Sequence, residues 1–398
     1  MMLLLILLAT AESLREIKNY LNVPFDSTYI GVAYLGDSKG YGLILKKDAK
    51  KGQILASIPY NYTFSSLSYF PLYPYISDME FHTIIAVRFL WEKNQPGTFF
   101  HKFTQSFNSD YNLVIFWDEH LKRTLTSYAI FYEEYDYYGK NWEKEYEEVK
   151  RRFEDVPEAP KDIYNLTDWK WAYSCAVAKT FDIWANEWKT AVGLQVEELD
   201  NTKFIPLNVP IIDLANHRHV PKRHRADYVY YLEYGNGCFS LVAQQDFVKG
   251  EEASLEYEYK GNDHMLAVFG FALEKNYLDT FNITKKSDFC NEIQQGENCT
   301  WTLKMYEMND NLFEFISKDK SNIKALVDYR KVMKEVYDSA KYPLRHIRRV
   351  KSHYGWKYVM ALNYGISQRL LLLEHMMFAE RKILKDLVSE LKLDMPSL

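Results

Sequence analysis

Residues 250–271 read GEEASLEYEYKGNDHMLAVFGF. A turn at Gly250-Glu251-Glu252 leads into a short extended run ending in Leu255-Glu256-Tyr257; Asn262 follows, and a helical run ends at Phe269-Gly270-Phe271. No residue in this stretch is diagnostic alone, so its meaning depends on two earlier segments. The first is Lys39-Gly40-Tyr41-Gly42-Leu43, where two glycines one apart let the backbone approach a ligand without a Cβ in the way. The second is Asp213-Leu214-Ala215-Asn216-His217, which follows the apolar run Val209 to Ile212 and ends in two side chains able to read donors and acceptors.

Outward from these segments, the chain alternates in character. Ile30 to Pro59 reads as short β-branched and aromatic runs broken by Gly-bearing turns, a local meander. Between 75 and 190 the spacing turns helical, as in Trp142, Tyr146 and Val149, or Trp169, Tyr173 and Val177. Strand signals return from Lys203 to Tyr259, where Asp227–Glu233 and Cys238–Gln244 flank Gly235-Asn236-Gly237 like the arms of a hairpin. The final third is helical, and Ile366, Leu370, Leu373, Met377, Leu384, Val388 and Leu391 fall on one face that needs a partner. The fold class is therefore α+β, a β unit interrupted by a helical insert and followed by a helical domain.

Taken in chain order, Gly40 and Gly42, Asn216 and His217, and the 250–271 stretch resemble the SET-domain methyltransferases, particularly the Rubisco large-subunit methyltransferase subclass. The resemblance implies a mainly β SET fold of short-strand sheets with a knot-like closure. It divides the chain into 12–74 and 203–275 as the two SET parts, 75–202 as the insert, and 276–398 as a helical substrate-binding domain. It further implies that Gly40, Tyr41, Gly42, Lys179, Asn216 and His217 cradle S-adenosylmethionine, that Tyr257 is catalytic, and that Asn262 and Phe269 line the acceptor side. No metal is implied. Three positions depart from the family pattern: Lys179 stands where the family carries Arg, Phe269 where the plant enzymes have Tyr, and Glu258 where Gly commonly follows the catalytic Tyr. A lysine offers the cofactor carboxylate a point charge in place of a bidentate fork.

The chemistry can be reasoned without the family name. Methyl transfer from a sulfonium is an in-line displacement, so the enzyme's work is to align donor carbon and acceptor nitrogen. A lysine ammonium, with an ordinary pKa of about 10.4, must first lose its proton, which desolvation favours. The expected activity is S-adenosylmethionine-dependent methylation of a side-chain nitrogen in a protein, with lysine as the acceptor. A rival reading is a SET-derived binding subunit of a larger assembly whose cofactor cleft is degraded; a minor third is a cleft for another nucleotide-like ligand.

Composition narrows the partners. The 398 residues are 47% hydrophobic and 26% charged, an ordinary globular balance, and 32 Tyr, 23 Phe and 9 Trp supply ring surface for a large core. Forty-nine Lys and Arg against 54 Asp and Glu leave a net charge of −5, which gives no global field for holding nucleic acid. The clusters Lys222-Arg223-His224-Arg225 and Arg345-His346-Ile347-Arg348-Arg349 read as solvated faces. Asp118-Glu119-His120 points three ligand types to different sides and is assigned no metal. The uncharged opening MMLLLILLATA, residues 1–11, reads as a secretory signal too short to span a bilayer. It sets the expectation of a lumenal or extracellular location, or a cytoplasmic or organellar one if Met1 is retained. In an oxidising space Cys290 and Cys299 can bridge, and the sequons at Asn61, Asn165, Asn282 and Asn298 become available.

Overall fold

The computed structural model describes residues 29–35, 41–105, 107, 113–118, 122, 133–185, 204–218, 231–235, 238–243, 245–257, 260–276, 278–286, 298–304, 312–313, 316, 321–339 and 356–390. The opening segment 1–11, Gly40, Glu258, Cys290 and both basic clusters lie outside the described residues. The chain divides into two compact units, 1–116 with 135–258 and 117–134 with 259–398. The division falls after Glu258, not at the 275/276 boundary inferred from sequence.

The first unit is built of small antiparallel sheets and a helical layer. Its elements are β1 (Ile30–Tyr34), β2 (Tyr41–Leu45), β3 (Ile54–Pro59), β4 (Phe64–Ser65), α1 (Phe81–Lys93), α2 (Phe99–Gln105), α3 (Glu133–Phe153, its first two residues excepted), α4 (Leu166–Ala178), β5 (Phe181–Trp184), β6 (Phe204–Asn208), β7 (Tyr231–Gly235), β8 (Cys238–Val242) and β9 (Glu252–Ala253). They form three sheets, ordered β1-β2-β9, β3-β8-β7 and β4-β6-β5. The expected meander over 30–59 is corrected here, because β2 takes β9 as its second neighbour and β3 pairs with β8. Strands some 200 positions apart in the chain thus share sheets, and local turn signals cannot reveal such pairs. The β7–β8 hairpin forms where its turn signal stood. Inside the stretch read as a helical insert, Phe181–Trp184 is a strand paired with β6.

Helix α1 starts where the Glu80 carboxylate accepts from the Thr83 N–H, and α4 where the Asn165 side chain accepts from the Thr167 N–H. The two helices pack together, burying Ile85, Phe89 and Leu90 of α1 and Trp169, Ala172 and Ala176 of α4. Each large side chain buried this way contributes about 1.5–3 kcal/mol. The helical insert thereby anchors Lys179, the residue that ends α4.

The second unit comprises α5 (Asn262–Phe269), the hairpin β10 (Thr280–Lys286) with β11 (Asn298–Lys304), α6 (Asn322–Ser339) and α7 (Trp356–Glu390). The hairpin corrects the all-helical expectation for 276–398. Helix α7 packs against α6, and Leu326, Tyr329, Met333, Leu371, Leu372, Met376 and Ala379 are buried. The inward face of α7 only partly follows the one read from sequence: Ile366 is buried and Leu373 packs on the core, but Met377 is 45% and Leu384 61% exposed, whereas Ser367, Gln368 and His375 are buried. Among the described residues, no helix is long and apolar enough to cross a membrane.

Candidate active site

Three stretches of the first unit meet around Asn216. Gly42 of β2 approaches it so closely that a Cβ would stand 2.4 Å from Asn216 Nδ2 and 2.6 Å from Leu35 Cδ1, so no larger residue fits without displacement. The Asn216 amide donates to the Tyr41 carbonyl at 3.3 Å and to Glu252 Oε1 at 3.1 Å. One side chain thus ties the glycine strand to β9. Sequence reasoning grouped Tyr41, Gly42, Asn216 and His217; the fold brings them together.

Next along the chain, His217 forms a parallel bridge with Leu255. The bridge uses the Asn216 carbonyl, which accepts from the Leu255 N–H at 2.9 Å, and the Arg218 N–H, which donates to the Leu255 carbonyl at 2.8 Å. His217's own main-chain donor and acceptor therefore face away from Leu255. Its Nδ1 accepts from the Tyr257 N–H at 3.2 Å, so in the neutral ring the proton sits on Nε2.

Tyr257 is held at its other end as well. Its hydroxyl donates to the Ala215 carbonyl at 2.7 Å, and its ring meets the His217 ring edge-on with centroids 5.5 Å apart. Burial pushes the phenol's pKa well above its ordinary value, and the negative charges of Asp213 and Glu252 push it further. A phenol in that position stays protonated at physiological pH, so it cannot serve as a general base.

Lys179 does not reach this group directly. Its main-chain N–H caps α4 on the Cys175 carbonyl, its own carbonyl accepts from Asn208 Nδ2 at 2.7 Å, and its Nζ lies 3.6 Å from Asp213 Oδ2 and 5.1 Å from the Phe107 ring centroid. The Asp213 carboxylate has 0% side-chain exposure. Burial raises its pKa, and Lys179 pulls it back down.

The two acceptor-side candidates belong to the second unit. The Asn262 side chain is consumed there, which corrects its reading as a substrate ligand: Nδ2 donates to the Leu273 carbonyl and to Asp279 Oδ2, while Oδ1 accepts from the Leu273 N–H. It latches the two ends of α5 together. Phe269 ends α5 half-buried, its ring near those of His264 and Phe271. Sequence reasoning gave no role to Ala215, Asp213 or Glu252. A backbone carbonyl carries no signal, and an Asp at the start of a segment does not by its type reveal an enclosed ion pair.

The arrangement fits an adenosyl sulfonium. A glycine strand, an Asn–His segment whose main-chain donor and acceptor at His217 face away from Leu255, and the Glu252 carboxylate near Tyr257 together offer a neutral reading edge beside negative charge, which suits a cationic sulfur.

No protein-family model matches the chain. Over 264 residues it is 24% identical to the actin-histidine N-methyltransferases of Otolemur garnettii and Homo sapiens, a match covering 63% of this chain and 41% of theirs. The chain thus spans about two fifths of the length of these curated relatives. Among solved structures, the SET domain of LSMT bound to lysine and AdoHcy superposes with a TM-score of 0.62 at 13% identity, over 94% of this chain and 92% of that one. Rubisco LSMT bound to sinefungin and monomethyllysine gives 0.62 at 12% identity over 98% and 97%, and its AdoMet complex 0.59 at 13% over the same shares. The chain therefore has the fold of the Rubisco LSMT SET-domain structures.

Proposed function

We propose that this chain is an S-adenosylmethionine-dependent protein N-methyltransferase. The observation that carries the reading is Tyr257, fixed at both ends by the Ala215–His217 segment while that segment rests on Gly42. S-adenosylmethionine, when bound, supplies an electrophilic methyl group on a sulfonium. Gly42, Asn216 and the main chain of His217 are the groups that would hold it, with Glu252 supplying negative potential.

Tyr257 orients the acceptor. Its hydroxyl proton is committed to the Ala215 carbonyl, so toward an incoming amine the oxygen acts as an acceptor and takes an N–H. That bond aims the nitrogen lone pair along the transfer axis. Because the phenol stays protonated, the acceptor proton must leave to solvent before attack. A lysine, ordinarily near 10.4, needs that loss; an imidazole, ordinarily near 6.5, is already neutral at pH 7.5. Lysine is the acceptor proposed from the sequence, and histidine is the one named for the curated relatives.

The rival reading, a subunit with a degraded cleft, is favoured by the engagement of Lys179 with Asp213 inside the protein. One experiment separates the two: calorimetry with S-adenosylhomocysteine, followed by transfer of labelled methyl to Lys-containing and His-containing peptides. Binding with transfer to either peptide supports an enzyme, and the labelled residue names the acceptor. Absence of binding and of thermal stabilisation at millimolar ligand sinks it.

A further inference from the structure

We infer that Lys179 is a positioning residue that clamps, through both of its polar ends, the corner delivering Ala215, Asn216 and His217 to Tyr257. For its bearing on methyl transfer the inference rests on the function proposed above. It gives Lys179 a task different from the grip on a cofactor carboxylate that the family resemblance implies.

The corner begins where β6 ends, at Asn208, and passes through Ile211 at φ 74, ψ −49, the one positive-φ residue other than glycine among the described residues. This is close to a γ-turn of the rare, strained kind, and a β-branched side chain makes it less favourable still. Such a conformation persists only when its surroundings hold it. Lys179 grips both flanks: its carbonyl takes the Asn208 amide three residues before Ile211, and its ammonium faces the Asp213 carboxylate two residues after. An Asp213 N–H bond to the Val209 carbonyl spans Ile211, and a single 3-10 turn follows, with Leu214 N–H on the Ile211 carbonyl and Ala215 N–H on that of Ile212. The next carbonyl, that of Ala215, receives the Tyr257 hydroxyl.

Asp213 explains why the clamp needs a cation. Its carboxylate is wholly enclosed, with Lys179 as its ion-pair partner, and a buried carboxylate deprived of its counter-ion is strongly destabilising. The ammonium, set between Asp213 and the Phe107 ring, is thus engaged before any ligand arrives.

The test uses the full chain. Without ligand, urea unfolding of Lys179→Met, Asp213→Asn and the double variant forms a cycle. Lys179→Met strands the carboxylate and Asp213→Asn removes what would be stranded, so the double variant is expected to unfold at least about fivefold less readily than the product of the single effects. Independent effects overturn the clamp. The ring resonance of labelled Tyr257 is expected to move in Lys179→Met and return in Lys179→Arg; a resonance indifferent to Lys179 overturns it too. Should Lys179→Met not fold, Lys179→Gln, whose amide still reaches toward Asp213, takes its place. Finally, S-adenosylhomocysteine is compared with 5′-methylthioadenosine, which lacks the carboxylate. The clamp predicts that Lys179→Met weakens both by the same factor, whereas a loss confined to the carboxylate-bearing ligand overturns it. If the unaltered protein binds neither nucleoside, the proposed function fails, and the unfolding cycle and the Tyr257 resonance still decide the clamp.

Discussion

Tyr257 and Gly42 meet the Asn216 segment in two different ways. Replacing Tyr257 by Phe keeps the ring against His217 but removes the bond to Ala215 and, on the proposed function, the oxygen that would accept the acceptor's N–H. Transfer is expected to fall about 100-fold, the scale of misplacing a reacting atom by an ångström. S-adenosylhomocysteine affinity, read by calorimetry, should stay nearly unchanged, because the lost bond belongs to alignment of the acceptor; equal loss of affinity and rate would show that Tyr257 only supports the cofactor cradle. Gly42→Ala should do the reverse. A Cβ 2.4 Å from Asn216 Nδ2 forces that amide off Tyr41 and Glu252, costing about 1–3 kcal/mol of stability by overpacking and abolishing nucleoside binding. Full binding by Gly42→Ala would show that the cradle lies elsewhere. That both residues meet the Asn216 segment was legible in the sequence because such contacts are carried by residue type, an absent Cβ and a phenol. Asn262 was misread for the opposite reason: a carboxamide can serve a ligand or its own chain equally well, and only the Leu273 and Asp279 partners decide.

At the scale of elements, legibility followed the range of the interaction. The β7–β8 hairpin was readable because its two strands and its turn are contiguous. The β2–β9 and β3–β8 pairs were not, since nothing in residues 30–59 marks a partner near 240–253. Helix α7 was placed correctly, but its inward face was read only in part. Hydropathy selects its apolar residues for the inner face, whereas the buried face includes Ser367 and His375, whose polar groups find partners inside: the Asn276 N–H donates to Ser367 Oγ at 3.0 Å, and His375 bonds the Tyr329 hydroxyl and the Lys304 carbonyl. A buried polar group with its bonds satisfied is compatible with a core, and no periodicity rule detects it. The Ser367 hydroxyl also bonds Asp279, which in turn accepts from the first N–H of α5 at 2.6 Å. Ser367→Ala leaves the enclosed Asn276 N–H without its acceptor and should cost about 1–3 kcal/mol. The urea midpoint measures this. No change would mean that the hydroxyl contributes nothing net to joining α7 to the start of α5.

For the molecule as a whole, net charge is the wrong guide to pH behaviour. Carboxylates outnumber Lys and Arg, and a surplus of surface charge alone predicts gentle, broad dependence. The second unit instead holds two buried groups that pull in opposite directions. Burial raises the Asp279 pKa to about 7, although Ser367 and Asn262 bond it. Its folded value exceeds the unfolded one, 3.8, so its stabilisation is full below 3.8 and is lost as pH rises toward 7. Burial lowers the His375 pKa below 6.5, with the Lys304 carbonyl opposing. Here the unfolded state binds the extra proton, so this contribution is full above 6.5 and is lost as pH falls below it. In the unaltered protein the two trends oppose each other on the acid side of neutrality. Removing either should expose the other. With Asp279→Asn, the second unit gains stability as pH rises toward 6.5; with His375→Gln, which keeps an amide near Tyr329 and the Lys304 carbonyl, it loses stability as pH rises toward 7. Hydrogen exchange at the buried amides of Leu371 to Ala379 reports the second unit by itself. Opposite slopes in the two variants are expected, at up to about 1.4 kcal/mol per pH unit for a single proton, and slopes of the same sign would mean that groups other than Asp279 and His375 set the balance.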